Sequence, residues 1–223
     1  MSKYFHLKPQ RDIRMSRTRV IGDMPDSNRF ESTLERDFME LVRFDDEIHL
    51  YHAQPVVIEY KDPCGIFRTY TPDGLVEYKK QPDMPTTKKD TLIEVKSRYL
   101  LKKHIKELRP KFRAAKEFAS NKNWDFKLYT EREIRTPFLS NVKFLWSFLQ
   151  RPSDAYLSRA ILDQLIAQQV TTPNLLISSM FEDKLNQASI IPPLWKLIAQ
   201  KRIGCNLEKP LNMNVDIWNR EEI

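Results

Sequence analysis

The sequence predicts an α/β domain built on a mixed sheet flanked by helices, followed by a small, mainly helical domain. Three observations carry this. An amphipathic helix pattern precedes several short β-type segments separated by turn signals. A long basic helix pattern then leads into one further strand, so a helical crossover extends a sheet begun by antiparallel strands. After Arg151-Pro152-Ser153-Asp154 the pattern changes to three short helices and a hairpin.

The elements follow in order. Residues 1–29 form a basic arm, with Lys3, Lys8, Arg11, Arg14, Arg17 and Arg19 against Asp12 among the first twenty residues. Both a solvated terminus and a phosphate-gripping arm fit that composition. A helix over about 30–43 places Phe30, Leu34, Phe38, Leu41 and Val42 on one stripe. His49–Tyr51, Pro55–Tyr60, Ile66–Tyr70 and Leu75–Tyr78 read as strands, with Lys61–Gly65 and the Pro72-Asp73-Gly74 corner as turns. Lys79–Asp90 is a polar excursion, and Thr91–Val95 is a strand of the buried type. The basic helix spans roughly Leu100–Asn121, with a kink expected at Pro110. Trp124–Tyr129 is the next strand, and residues 137–150 form a linking helix. These patterns give a basic arm (1–29), an α/β domain (30–150) and a C-terminal domain (151–223). Helices at about 153–169, 173–180 and 188–202, with a hairpin within Ile203–Val215, make the last part similar to a winged helix.

Composition narrows the function. The chain of 223 residues carries a formal charge of +7, which suits a polyanionic partner. Residues 1–150 hold 29 of the 37 Lys and Arg and 22 of the 30 Asp and Glu, so residues 151–223 are neutral. Nucleic acid is therefore expected on the first part and protein on the second. Cys64 and Cys205 show no zinc spacing and no disulfide framework, which fits a reducing cytoplasm. No apolar run approaches the roughly 20 residues that span a bilayer, and the N-terminus lacks the apolar core of a secretory signal. A soluble, cytoplasmic, DNA-associated protein with no membrane partner is expected. Four glycines and no Gly-x-x-x-x-Gly-Lys loop argue against a nucleotide cradle, and no Gly-x-Ser-x-Gly elbow supports a serine hydrolase. His49 and His52 are three apart on a strand and would point to opposite faces, which disfavours a zinc pair.

The chemistry concentrates at Thr71-Pro72-Asp73-Gly74 and Ile93-Glu94-Val95-Lys96. A period of two puts Glu94 and Lys96 on one face of a strand. With Asp73 from the neighbouring strand, two carboxylates and an ammonium converge. Hard oxygen donors that leave room for substrate phosphate suit magnesium, and a nearby lysine offsets charge on a transferring phosphorus. Taken singly, each residue has a plainer reading. Asp73 is ordinary turn chemistry, and Glu94 with Lys96 is a cross-strand ion pair. Glu35, at the edge of the first helix's core stripe, also completes a Ser32-Thr33-Leu34-Glu35 capping box. The combination shifts the balance, because Leu92, Ile93 and Val95 mark a buried strand where two charges need a reason. The stretch 88–122 carries twelve Lys and Arg against four Asp and Glu, a pattern suited to phosphate contacts.

This constellation resembles the PD-(D/E)xK nuclease core of many type II restriction enzymes. In greater detail it resembles the TnsA family, the endonuclease subunits of heteromeric bacterial transposases. The resemblance rests on Leu34-Glu35-Arg36-Asp37-Phe38, Thr71-Pro72-Asp73-Gly74-Leu75-Val76, Glu94-Val95-Lys96, Trp124-Asp125-Phe126 and Thr130-Glu131-Arg132-Glu133-Ile134. It covers residues 15–150 well and the last 70 weakly. It implies a restriction-endonuclease-like fold, with Glu35, Asp73, Glu94 and Lys96 catalytic. Glu35, Asp73, Glu94 and the Val95 carbonyl would serve Mg2+, for which Mn2+ substitutes. Lys102, Lys103, Lys106, Arg109, Lys111 and Arg113 would meet double-stranded DNA at transposon ends. The implied activity is 5′-end cleavage on the non-transferred strands, alongside a TnsB-type transposase and a TnsC-type AAA+ ATPase. A non-catalytic assembly module and an autonomous restriction-type nuclease are the alternatives.

Overall fold

The computed structural model describes residues 22–23, 29–30, 32–80, 88–152 and 154–220, and the chain divides into two compact units, Met1–Ile134 and Arg135–Ile223. The expected basic arm lies largely outside the described residues. In the first unit a short pair, β1 (Gly22–Asp23) and β2 (Arg29–Phe30), precedes α1 (Thr33–Phe44). Next come β3 (Ile48–Ala53), β4 (Ile58–Lys61), β5 (Phe67–Tyr70), β6 (Gly74–Tyr78) and β7 (Thr91–Val95). Helix α2 (Arg98–Asn121), β8 (Asp125–Tyr129) and the single turn α3 (Glu131–Ile134) complete it.

The main sheet has the order β3-β6-β7-β8, antiparallel except for the parallel β7–β8 pair reached through α2. This is the predicted α/β fold with a mixed sheet flanked by helices. All five residues of β7 are buried, as befits a central strand covered on both faces. On one face Phe38 of α1 packs against Tyr51 and Tyr129, with ring centroids 6.3 and 4.8 Å apart. On the other, Leu75, Leu92 and Trp124 pack with Ala115 and Ala119 of α2. Alternation assigns Leu75 and Asp73 to one face, and Leu92, Glu94 and Lys96 to that same face.

Strands β4 and β5 form a separate two-stranded ribbon instead of joining the main sheet. Only Ile58 and Tyr70 of the ribbon are buried, so one end alone is anchored. The kink expected at Pro110 appears earlier, where His104 departs from helical geometry (φ −117°, ψ 19°). A proline ring presses on the carbonyl four residues before it, here that of Lys106, so Pro110 does not account for the break at His104.

The second unit contains α4 (Pro137–Leu149), α5 (Ala155–Gln168), β9 (Val170–Thr171), α6 (Pro173–Met180), α7 (Lys184–Ala199), β10 (Ile203–Cys205) and β11 (Ile217–Asn219). Its strand order β10-β11-β9 and its succession of helix, strand, two helices and two strands match a winged helix. The second wing strand lies later than the sequence suggested, beyond Val215. The division between units falls after Ile134, ahead of the Arg151–Asp154 segment where the sequence placed it. Helix α4 belongs with the C-terminal unit because Phe144 packs edge-on against Trp195 of α7, at 5.2 Å.

Gly74 is needed for space, not for turn geometry. A Cβ there would lie 2.2 Å from the Tyr51 hydroxyl oxygen, and that hydroxyl donates to the Asp73 carbonyl at 3.1 Å. Gly74→Ala should therefore destabilise the fold by about 1–3 kcal/mol through overpacking. Adding Tyr51→Ala should recover part of the loss. Thermal melting of the single and double variants checks this, and simple additivity of the two losses would contradict it.

A carboxylate pair held against a lysine

Antiparallel pairing of Gly74 with Ile93 and Leu75 with Leu92, continued one step, sets Asp73 beside Glu94. The backbone closes this corner. Val95 N–H donates to Asp73 Oδ2 at 2.7 Å, and Gln54 N–H donates to the Asp73 carbonyl at 3.0 Å. Glu94 is only 3% exposed. Its Oε1 meets Lys96 Nζ at 3.1 Å, and its Oε2 accepts the Tyr70 hydroxyl at 2.6 Å. Lys96 N–H in turn donates to the Tyr129 carbonyl at 2.9 Å, fixing the base of the lysine on the β8 edge.

Glu35 enters from the first turn of α1. Ser32 Oγ accepts Glu35 N–H at 3.1 Å and donates to Glu35 Oε1 at 3.0 Å. The capping role is therefore real. It does not isolate the carboxylate, whose charge also acts on both Asp73 and Lys96. The two readings of Glu35 coexist.

Electrostatically the site is under load. Burial first, then the Glu94 and Glu35 charges, push the Asp73 carboxyl well above the usual carboxylate range, with Lys96 only partly offsetting them. Burial pulls the Lys96 ammonium down, but Asp73, Glu94 and Glu35 outweigh it and leave its pKa raised. Tyr70 is driven upward by burial and by Glu94, so it stays a hydrogen-bond donor. Sequence reasoning missed Tyr70. Its signal was present only as a tyrosine ending a strand just before the Pro-Asp-Gly corner.

Among the described residues no cluster of three or more His, Cys, Asp or Glu forms a ready metal cage. Magnesium is usually held by only one or two carboxylates, keeping waters and substrate phosphates in its shell. The donors here have that chemistry. Asp73 Oδ1 has no hydrogen-bond partner among the described residues. Each Glu94 oxygen keeps a lone pair beyond its one bond. A cation would also relieve the repulsion that raises Asp73. Val95 contributes to this corner through its backbone.

Four of the six predicted phosphate-binding residues line two hollows. Lys106, Arg109 and Arg113 line a groove beside the ribbon. Lys102 lines a smaller hollow with Arg98, Thr130, Arg132 and Glu133. Lys103 sits over the Tyr99 ring at 5.8 Å, and half-buried Lys111 lies off the Arg109–Arg113 stripe. The Thr130–Ile134 motif is structural. Thr130 donates its N–H and hydroxyl to Glu133 at 2.9 and 2.5 Å, and Glu131 accepts the first N–H of α2 at 2.9 Å.

The TnsA-like endonuclease N-terminal domain matches residues 45–131, and the TnsA endonuclease C-terminal domain matches residues 133–207. The chain belongs to the TnsA endonuclease family. The junction between the two matches falls where the structure divides into units, and the first match contains Asp73, Glu94 and Lys96 but begins after Glu35. No curated protein matches the chain. No described helix is long and apolar enough to cross a membrane.

The raised Asp73 pKa fixes a pH dependence for the metal-free protein. The folded state holds this proton more tightly than the unfolded chain, so its contribution is complete below about pH 4 and is lost as pH rises through the folded pKa. Asp73→Asn keeps the acceptor for Val95 N–H and removes the charge. Metal-free Asp73→Asn should therefore melt above wild type at pH 7 and no higher than wild type at pH 4. Melting curves in chelator at both pH values check this, and an equal offset at the two would contradict it.

Proposed function

We propose that this chain is a magnesium-dependent DNA endonuclease that cuts the 5′ ends of a transposon on the non-transferred strands. The observation that carries this reading is the convergence of Asp73, Glu94 and Lys96 in the unit that matches the TnsA N-terminal domain. Asp73 and Glu94, with the Val95 carbonyl and Glu35, would hold the cation. When bound, magnesium supplies Lewis-acid stabilisation of phosphoryl charge and lowers the pKa of a coordinated water. Lys96, kept cationic by its neighbours, faces the scissile phosphate and offsets charge developing there. Tyr70 fixes the orientation of Glu94, a second layer of support that holds a ligand in place. Lys102, Lys103, Lys106, Arg109, Lys111 and Arg113 supply DNA contacts from α2, positioning the duplex without reading its sequence.

The family match and the two-unit architecture support the proposed partners. A TnsB-type transposase would cut the 3′ ends and bring this chain to the element. The C-terminal unit would hold a TnsC-type AAA+ ATPase. Leu176, Leu194 and Trp195 are buried in that unit, whereas Leu175 is 63% exposed and Val170 and Leu185 are also open. The exposed set supports a protein contact.

Strand-break mapping on DNA carrying a transposon end, with magnesium and the partner transposase, tests the reading. Wild type should give a 5′-strand cut, Asp73→Ala none, and Lys96→Ala a cut slower by about 10²–10³. Cutting without the partner would identify an autonomous nuclease. A folded protein with no Asp73-dependent cut would be an assembly module.

A further inference from the structure

The first unit carries a concave surface that lies apart from the carboxylate pair. The near end of the β4–β5 ribbon is pinned, because Ile58 and Tyr70 pack with Ala115 and Ala119 of α2. Farther along, ribbon and helix enclose a groove of about 480 Å³. Lys61 stands on the ribbon wall, and Lys106, Arg109 and Arg113 on the helix wall. The spacing of three and four residues keeps those helix cations on one stripe. Among the described residues none of the four has an ion-pair partner.

Three acids also line the groove: Glu59, Asp62 and Glu117. Asp62 is committed to its own turn. Its Oδ1 accepts Cys64 N–H at 2.9 Å and Ile66 N–H at 3.0 Å, and its Oδ2 meets Arg68 Nε at 3.2 Å. Cations therefore exceed the uncommitted carboxylates. The ribbon tip adds an aromatic surface, since Phe67 is 70% exposed with Lys61 Nζ 4.8 Å above its ring. An exposed aromatic beside cations suits a surface that meets sugar and base edges as well as phosphate.

The ribbon is also in register with the carboxylate pair, because Tyr70, at its anchored end, is bonded to Glu94. From Tyr70 back to Phe67 is three strand steps, about 10 Å. Along a DNA strand rising about 3.4 Å per nucleotide, that is about three nucleotides.

The geometry points to a two-walled DNA contact: the β4–β5 ribbon adds Lys61 and Phe67 to the helix cations of the proposed DNA surface, and the groove between ribbon and the middle of α2 grips the backbone of duplex DNA about three nucleotides from the cut bond. The distance to a cut bond rests on the endonuclease reading above, whereas the grip on duplex does not.

The test uses the full chain in chelator with a fluorescent duplex of about 20 base pairs, titrated at several salt concentrations between about 50 and 200 mM. Lys61→Gln and the Lys61→Gln/Arg113→Gln pair remove cations from opposite walls, Phe67→Ala removes the tip, and Lys209→Gln in the other unit is the control. All four positions are exposed, and thermal melting confirms that the variants fold. Each lost phosphate contact should lower the slope of log affinity on log salt by about 0.9. Phe67→Ala should weaken binding several-fold at unchanged slope. The proposal is overturned if wild type does not bind the duplex, or if Lys61→Gln and Phe67→Ala both bind as wild type does. It is also overturned if the variants lose affinity for a poly-glutamate peptide but not for duplex, which would make the groove a protein dock. Strand-break mapping separates the two readings. A chain that cuts but shows unchanged salt slopes loses the groove alone. A chain that never cuts but loses slope keeps the groove and loses the nuclease reading.

Discussion

The pairing of β6 with β7 sets two carboxylates side by side in a buried corner, and the contacts around that corner hold them there. Asp73 and Glu94 lie side by side with Lys96 on the same face, and Leu75 and Leu92 come next along it. Burial, then the Glu94 and Glu35 charges, outweigh the one ammonium of Lys96, so Asp73 is pushed toward its protonated form. Such crowding is destabilising on its own terms. An added positive charge would relieve it.

The surrounding residues hold that arrangement still. Tyr70 and Lys96 take one Glu94 oxygen each, and Val95 N–H takes one Asp73 oxygen. Gly74 lets Tyr51 close over the corner, and the Tyr51 hydroxyl then ties the Asp73 backbone. Tyr70 does more than orient Glu94. It belongs to the ribbon, so the same side chain links the buried charges to the basic groove alongside α2. The second unit has its own core around Leu176, Leu194 and Trp195.

How much of this was legible in the sequence depended on whether the deciding contacts were local. Strand β7 was predicted to its end residues, because Leu92, Ile93 and Val95 form an apolar run that charge interrupts at one point. The convergence of Asp73, Glu94 and Lys96 followed from strand periodicity and one turn. Glu35 was ambiguous for a physical reason, since it does cap the helix. Tyr70 was hidden because its partner is 24 residues away across two different sheets. The ribbon's separation from the main sheet was equally silent, as β4 and β5 read like any short antiparallel strands. The helix breaks at His104, beyond the Lys106 carbonyl that the Pro110 ring meets, so the proline did not mark the place. Helix α4 looked like a linker until its packing on α7 showed where it belongs.

We propose the Asp73–Glu94 pair as the seat of a divalent cation. Crystals of the protein soaked in Mn2+ and measured at the manganese absorption edge test it most directly. The expected result is an anomalous peak about 2.1 Å from a carboxylate oxygen of Asp73 and of Glu94, absent from Asp73→Ala crystals. A peak elsewhere on the molecule, or none at this pair while Asp73 and Glu94 keep their positions, would contradict it.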